Sequence, residues 1–145
     1  MDATNPDLSA FKDRGGKLIL RTNLADYIVG PFGTMDYYTS VVKLMGRDTV
    51  DQFVRYYISP GSAHIGTAFS GIDGAPVPFQ ADLLSVLDAW LDGSPAPNKL
   101  TQTLHTREAP FAITASRPMC AYPAYPHYLG TGNPKSAESY ECRRP

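Results

Sequence analysis

Between Met35 and Met45 the apolar residues Met35, Tyr38, Val41, Val42 and Met45 recur at helical spacing. Thr34 stands where a cap is needed and Gly46 where a stop is needed, so the segment predicts a helix. Two short apolar runs flank it. "KLILRT" from Lys17 lies between glycines and a polar loop, and "VDQFVRYYIS" is dense in β-branched and aromatic residues. Both predict strands. "NPDLSAFKDRGG" predicts a short helix capped by Asn5, with Pro6 in its first turn, Gly15 at its end, and Leu8 and Phe11 facing inward. In "ADLLSVLDAWLDGSP", residues Leu83, Leu84, Leu87, Trp90 and Leu91 form one predicted core stripe, stopped by Gly93 and Pro95. "LTQTLHT" and "FAITAS" predict a small hairpin joined by "REAP". From Arg117 onward the prolines, tyrosines and glycines predict an irregular tail.

Strand, helix and strand in this order make a βαβ unit with parallel strands and a right-handed crossover. Loops at the C-terminal ends of such strands open on one edge of the sheet. Asp26 and His64 each sit in such a loop, so the topology should bring an acid and an imidazole together.

Composition narrows the classes. The 145 residues suffice for one domain with a real core, and 43% apolar against 19% charged residues is a globular balance. A net charge of −1 gives no reason to expect nucleic acid or a membrane surface as partner. No apolar run approaches the roughly 20 residues of a membrane helix. "MDATNPDLSA" lacks the charged-then-apolar layout of a signal peptide. Cys120 and Cys142 are the two cysteines; they either staple the tail or are two unrelated buried thiols.

The main candidate for chemistry is the Asp26–His64 pair. In nucleophilic hydrolases a histidine takes the proton of a serine hydroxyl, and a carboxylate orients the imidazole and stabilises its cationic form. The order acid then base fits the last two members of an α/β-hydrolase triad. Taken singly, an Asp in a loop is more often a turn former and a loop His more often merely solvated. The nucleophile elbow G-x-S-x-G is absent: Ser62 follows Gly61 directly and Ser70 sits in "AFSG". His64, His105 and His127 are scattered without metal-ligand spacing, and there is no phosphate-binding loop or dinucleotide fingerprint, so no metal and no cofactor is expected. "MCAYPAYPHYLG" could stack on a flat ligand, but packing of its rings against the domain is the simpler expectation.

"DATNPDLSAFKDRGGKLIL", "LADYIVGPFGTMDYY", "VVKLMG", "PGSAHIG", "DLLSVLDAWLDGSPAPNKL" and "TASRPMCAYP…YLGTGNPKSAESYEC" resemble successive blocks of the tannase/feruloyl esterase family, over nearly the whole chain. That family also includes hydrolases of terephthalate mono-esters. Its members are secreted serine esterases with an α/β-hydrolase core and a lid. The resemblance implies that this chain is the C-terminal part of such a core. It places Asp26 on the triad acid, His64 on the triad base, and Cys120 and Cys142 on a disulfide. It implies export, to the periplasm or beyond, although no leader is visible. The departures are specific. The family's His-Cys pair is His64-Ile65 here, the Cys-Ser half and the lid with its calcium site have no counterpart, and the usual aromatic-His-Gly-Trp before the acid is "RTNL".

The expected fold is therefore α/β: a partial α/β-hydrolase core over residues 1–116, built on the βαβ unit with flanking helices and a hairpin, followed by a tail over 117–145 closed by Cys120–Cys142. Three functions compete: a truncated or divergent ester hydrolase that needs a serine-bearing chain, an Asp–His dyad doing general acid–base chemistry without a covalent step, and a non-catalytic binding or assembly remnant. An open apolar strand edge invites pairing, so a homo-oligomer or a complementary serine-bearing chain is the expected partner. An aromatic ester or other small molecule is the expected ligand.

Overall fold

The structure, a computed structural model, describes residues 4–64 and 66–145. Its centre is the βαβ unit. Strand β1 (Leu18–Asn23) pairs in parallel with β2 (Val54–Ser59), in register from Leu18 opposite Val54 to Asn23 opposite Ser59. Helix α2 (Pro31–Met45) connects them, followed by a single turn of helix, α3 (Arg47–Val50). The chain enters through a short helix, α1 (Ser9–Asp13).

Successive strand residues point to opposite faces, and each face has its own cover. Leu18, Leu20, Val54 and Tyr56 meet α2 through Tyr38 and Val41, with Val50 and Phe53 closing the cluster. On the other face Ile19 and Tyr57 pack with Leu83 and Val86 of α4 (Leu83–Leu91) and with Leu100 and Met119 of a hairpin. That hairpin pairs β3 (Lys99–His105) with β4 (Ile113–Cys120), antiparallel, with a bulge between Leu104 and His105. A buried polar contact reinforces the junction: the Ser59 hydroxyl donates to Gln102 Oε1 at 2.5 Å, both residues being almost wholly enclosed. Burial pushes the Tyr57 phenol up to about 12, and its O–H donates to the Pro97 carbonyl.

Several boundaries differ from the sequence expectations, each for a local reason. Asn5 does not cap a helix; its Oδ1 accepts from the Asp7 amide, and α1 begins only at Ser9. Helix α2 starts at Pro31 rather than after Thr34, because proline suits a first helical turn. Gly46 ends it at φ 82°, where a side chain would be strained. In α4 the inward face is Leu83, Val86 and Trp90, spaced i, i+3, i+7, while Leu84 and Leu91 of the expected core stripe are 79% and 54% exposed. Trp90 is buried with Lys17 and Arg55 cations over its ring.

The tail is not irregular. Strand β4 runs straight through residues 116 and 117 to Cys120, and a second antiparallel hairpin follows, β5 (Tyr125–Tyr128) with β6 (Tyr140–Arg143), with a turn of 3-10 helix before β6. Cys120 and Cys142 are joined in a disulfide, their Cα atoms 5.7 Å apart. Tyr122 packs its ring against Tyr38 and Tyr56 at centroid distances of 6.0 and 5.3 Å, and its amide donates to the Tyr56 carbonyl. That part of the aromatic stretch packs on the domain. No helix among the described residues is long and apolar enough to cross a membrane.

Candidate active site

Parallel pairing carries β1 and β2 to a common end at Asn23 and Ser59. The loops that follow are tied together by backbone: the Leu24 amide donates to the Ser59 carbonyl at 3.0 Å and the Ala25 amide to the Ser62 carbonyl at 3.1 Å. Asn23 adds a third tie through its Nδ2, which donates to the Ala63 carbonyl at 3.1 Å. The local reason for the second loop is Gly61. It sits at φ 72°, and a Cβ there would lie 2.9 Å from the Phe69 carbonyl oxygen. Gly61→Ala is expected to destabilise the fold by roughly 1–3 kcal/mol and to disorder this loop, measured by urea unfolding and by loss of the His64 signal position in NMR spectra.

These ties bring Asp26 and His64 into contact. Asp26 Oδ2 lies 2.9 Å from His64 Nδ1. The other carboxylate oxygen, Oδ1, accepts from the Ile28 and Val29 amides at 2.9 Å each. Both oxygens are therefore fixed, and the carboxylate is 10% exposed against 43% for the imidazole. The Val29 amide first, then the His64 ring and the Ile28 amide, hold the Asp26 carboxyl below the usual 3.8 against the opposing effect of burial. At neutral pH it is an anion that only accepts, so His64 Nδ1 carries the proton it shares. In the neutral ring Nε2 then bears the lone pair, and among the described residues nothing hydrogen-bonds to it.

Because the folded carboxyl titrates below its ordinary value, ionisation favours the folded loop. This stabilisation is fully present above 3.8 and is lost as the pH falls through the lower folded value. The Ile28 and Val29 amide resonances should accordingly shift together on acidification below about 4, and Asp26→Asn should abolish that transition.

Among the described residues no serine hydroxyl hydrogen-bonds to Nε2. Ser62 is fully buried with an unpartnered hydroxyl, and the Ser59 hydroxyl is spent on Gln102. His105 is committed to Thr103 Oγ1 and the Phe111 carbonyl, and His127 stacks edge-on against Tyr125. Among the described residues no group of three or more His, Cys, Asp or Glu side chains could hold a metal ion. Ile65, the residue after His64 where the resemblance expects a cysteine, lies outside the described residues. The sequence pointed to both members of the pair, but not to Asn23, whose contribution is a cross-loop bond visible only in three dimensions.

An acid holding an imidazole in a defined tautomer at the ends of parallel strands is the arrangement of hydrolase charge-relay sites. The family model for tannase and feruloyl esterase matches residues 1–143, and the chain belongs to that family. An uncharacterized esterase of Agrobacterium fabrum is 36% identical over 140 residues, covering 97% of this chain and 24% of that protein. A probable feruloyl esterase of Arthroderma benhamiae is 35% identical, covering 97% of this chain and 25% of the relative. In three dimensions an esterase from Aspergillus oryzae superposes with a TM-score of 0.81 at 24% identity, over 97% of this chain and 30% of that one. The chain thus spans about a quarter of the length of the curated relatives it matches.

Proposed function

We propose that this chain is a C-terminal portion of an α/β-hydrolase core that supplies the acid and base of a serine ester hydrolase, with the nucleophile contributed by a segment other than these residues. The observation that carries the reading is the 2.9 Å contact of Asp26 with His64 Nδ1, which leaves Nε2 open as a base. In the reaction, Nε2 takes the serine hydroxyl proton as the oxygen bonds to the ester carbonyl carbon. The proton then passes to the departing alkoxide, which leaves as the alcohol. Water attacks the acyl-enzyme, again losing a proton to Nε2, which returns it to the serine oxygen as the acid departs. Throughout, Asp26 keeps the ring oriented and stabilises the imidazolium.

The surface around the site supports a partner. Tyr27, Ile28, Val29 and Phe32, just after the acid, are 86, 59, 56 and 70% exposed. Such a cluster of bare apolar side chains marks an interaction surface. Among the described residues β1 pairs on one side only, in a two-stranded sheet, and so offers an unpaired backbone edge beside them. A serine-bearing segment that adds its strands here would bring its nucleophile to the same sheet end as His64. A second copy of this chain covering the patch is the competing occupant.

Coexpression with a chain carrying a G-x-S-x-G elbow tests the reading. A stable complex that hydrolyses an aromatic ester such as a feruloyl ester, with a burst of released alcohol from acyl-enzyme formation, is the expected result. Hydrolysis by the isolated chain, without a burst and abolished by His64→Ala, would instead establish the dyad reading. No complex and no activity would leave the assembly reading.

A further inference from the structure

A cavity of about 440 Å³ opens near the start of β2, away from His64, which follows that strand's end. Three arginines, Arg47, Arg55 and Arg144, line it against one carboxylate, Asp51. Its aromatic wall is Tyr38, Tyr56 and Tyr122, whose rings pack together. Cys142 lines it too, so the bond to Cys120 holds the segment that carries Arg144 at the rim. Donors outnumber acceptors here. Arg47 Nη1 donates to the Tyr38 hydroxyl at 2.7 Å and stands 3.9 Å from Asp51 Oδ1. Its Nε and Nη2, a complete edge of the guanidinium, bond to no described residue. Tyr38 is 2% exposed, and its own phenolic hydrogen meets no acceptor among the described residues. Burial raises the Tyr38 phenol above its ordinary value, so it stays a donor at neutral pH. Arg144 takes part in none of the ion pairs among the described residues. Arg55 differs: Nη1 spends both hydrogens on the Asp51 and Val54 carbonyls and Nε is buried without a partner, so it adds positive charge and no grip.

We propose that this cavity binds a phosphate monoester of an apolar alcohol, its oxyanion held by the free edge of Arg47 with the Tyr38 hydroxyl and Arg144, and its organic part against the Tyr122 ring. The free edge of a guanidinium matches two oxygens of a phosphate. The donors come from α2, α3 and the segment after β6, so they approach from several sides. That suits oxygens set tetrahedrally better than a planar carboxylate. A phosphate monoester carries roughly two negative charges at neutral pH, which offsets the excess of guanidinium over carboxylate around the cavity. The cavity holds more than a bare phosphate, and the exposed part of its tyrosine wall suits an apolar body. The site involves neither Asp26 nor His64 and stands independently of the hydrolase reading.

The test is an NMR titration of the whole chain at neutral pH and about 0.15 M salt, with phenyl phosphate as the probe. Inorganic phosphate and benzyl alcohol serve as controls for its two halves. Phenyl phosphate is expected to saturate at one equivalent and to shift the Tyr38, Arg47 and Tyr122 resonances while His64 stays in place. It should bind roughly tenfold or more tightly than either control. Tyr38→Phe keeps the ring and removes only the hydroxyl, and should weaken binding by about tenfold. Arg47→Met should weaken it further, and Arg47→Lys should restore only part, because an ammonium lacks the two-pronged edge. Unsaturable shifts, shifts centred on His64, affinity equal to that of benzyl alcohol, or full affinity in Arg47→Met overturns the proposal. Inorganic phosphate binding as tightly as phenyl phosphate overturns the monoester assignment, and phenyl sulfate binding as tightly overturns the assignment to a dianion. Should Arg47→Met fail to fold, Tyr38→Phe and Arg144→Ala decide: unchanged affinity in both overturns the site.

Discussion

His64→Ala is expected to lower kcat for ester hydrolysis, in the complex with a serine-bearing segment, by a factor on the order of 10⁶. In the proposed mechanism the ring accepts the serine proton and donates it to the leaving alkoxide, so both halves of the cycle lose their proton carrier. KM should change little, because in this mechanism His64 meets the reacting atoms rather than the body of the substrate. Asp26→Asn should cost about 10⁴-fold by a different route. An amide nitrogen at the position of Oδ2 would donate toward Nδ1, leaving the proton on Nε2 and no lone pair to accept another. The double variant His64→Ala/Asp26→Asn should be no slower than His64→Ala, because the acid acts only through the ring. Steady-state kinetics on the three variants, with folding checked by circular dichroism, is the measurement. Additive losses would mean that Asp26 and His64 are independent, and the pair would not be a catalytic unit.

Opening the Cys120–Cys142 disulfide with paired serine substitutions is expected to cost roughly 3 kcal/mol, or on the order of 10 °C in Tm. The sequence separation is 22 residues, and the crosslink deprives the unfolded chain of that loop's freedom. The native state also depends on it. The bond joins the end of β4 to β6, and the β5–β6 hairpin is a two-stranded ribbon that is marginal by itself. Loss of the staple should release this hairpin first. Tyr122 should stay in place longer, being held by the Tyr56 carbonyl and by the Tyr38 and Tyr56 rings. Calorimetry gives the total, and hydrogen exchange along residues 125–143 shows whether the loss is local.

The elements most legible in the sequence were those whose local signals and packing agree. Helix α2 displays a continuous inward face and ends at a glycine whose φ forbids other residues. The β1–β2 pairing followed from the βαβ order, and with it the meeting of two loops far apart in the chain. Where local signals were equivocal, packing chose. Helix α4 carries one wide apolar arc running from Val86 through Trp90 and Leu83 to Leu84, so the pattern alone could not say which part is buried; packing selected Leu83, Val86 and Trp90. The tail carries proline and tyrosine in place of an alternating apolar pattern, and its strands depend on a cross-strand partner and a covalent bond.

By itself, the chain's order of residues determined the βαβ unit, the meeting of the Asp26 and His64 loops, and the family to which the chain belongs, because each is written in short-range periodicity or in the order of motifs along the chain. Only the tertiary structure decided which nitrogen of His64 is held, that both oxygens of Asp26 are occupied, and that Arg21 shares a cleft with His64. Those are matters of distance and direction between side chains whose neighbours come from other elements, and a linear pattern records neither.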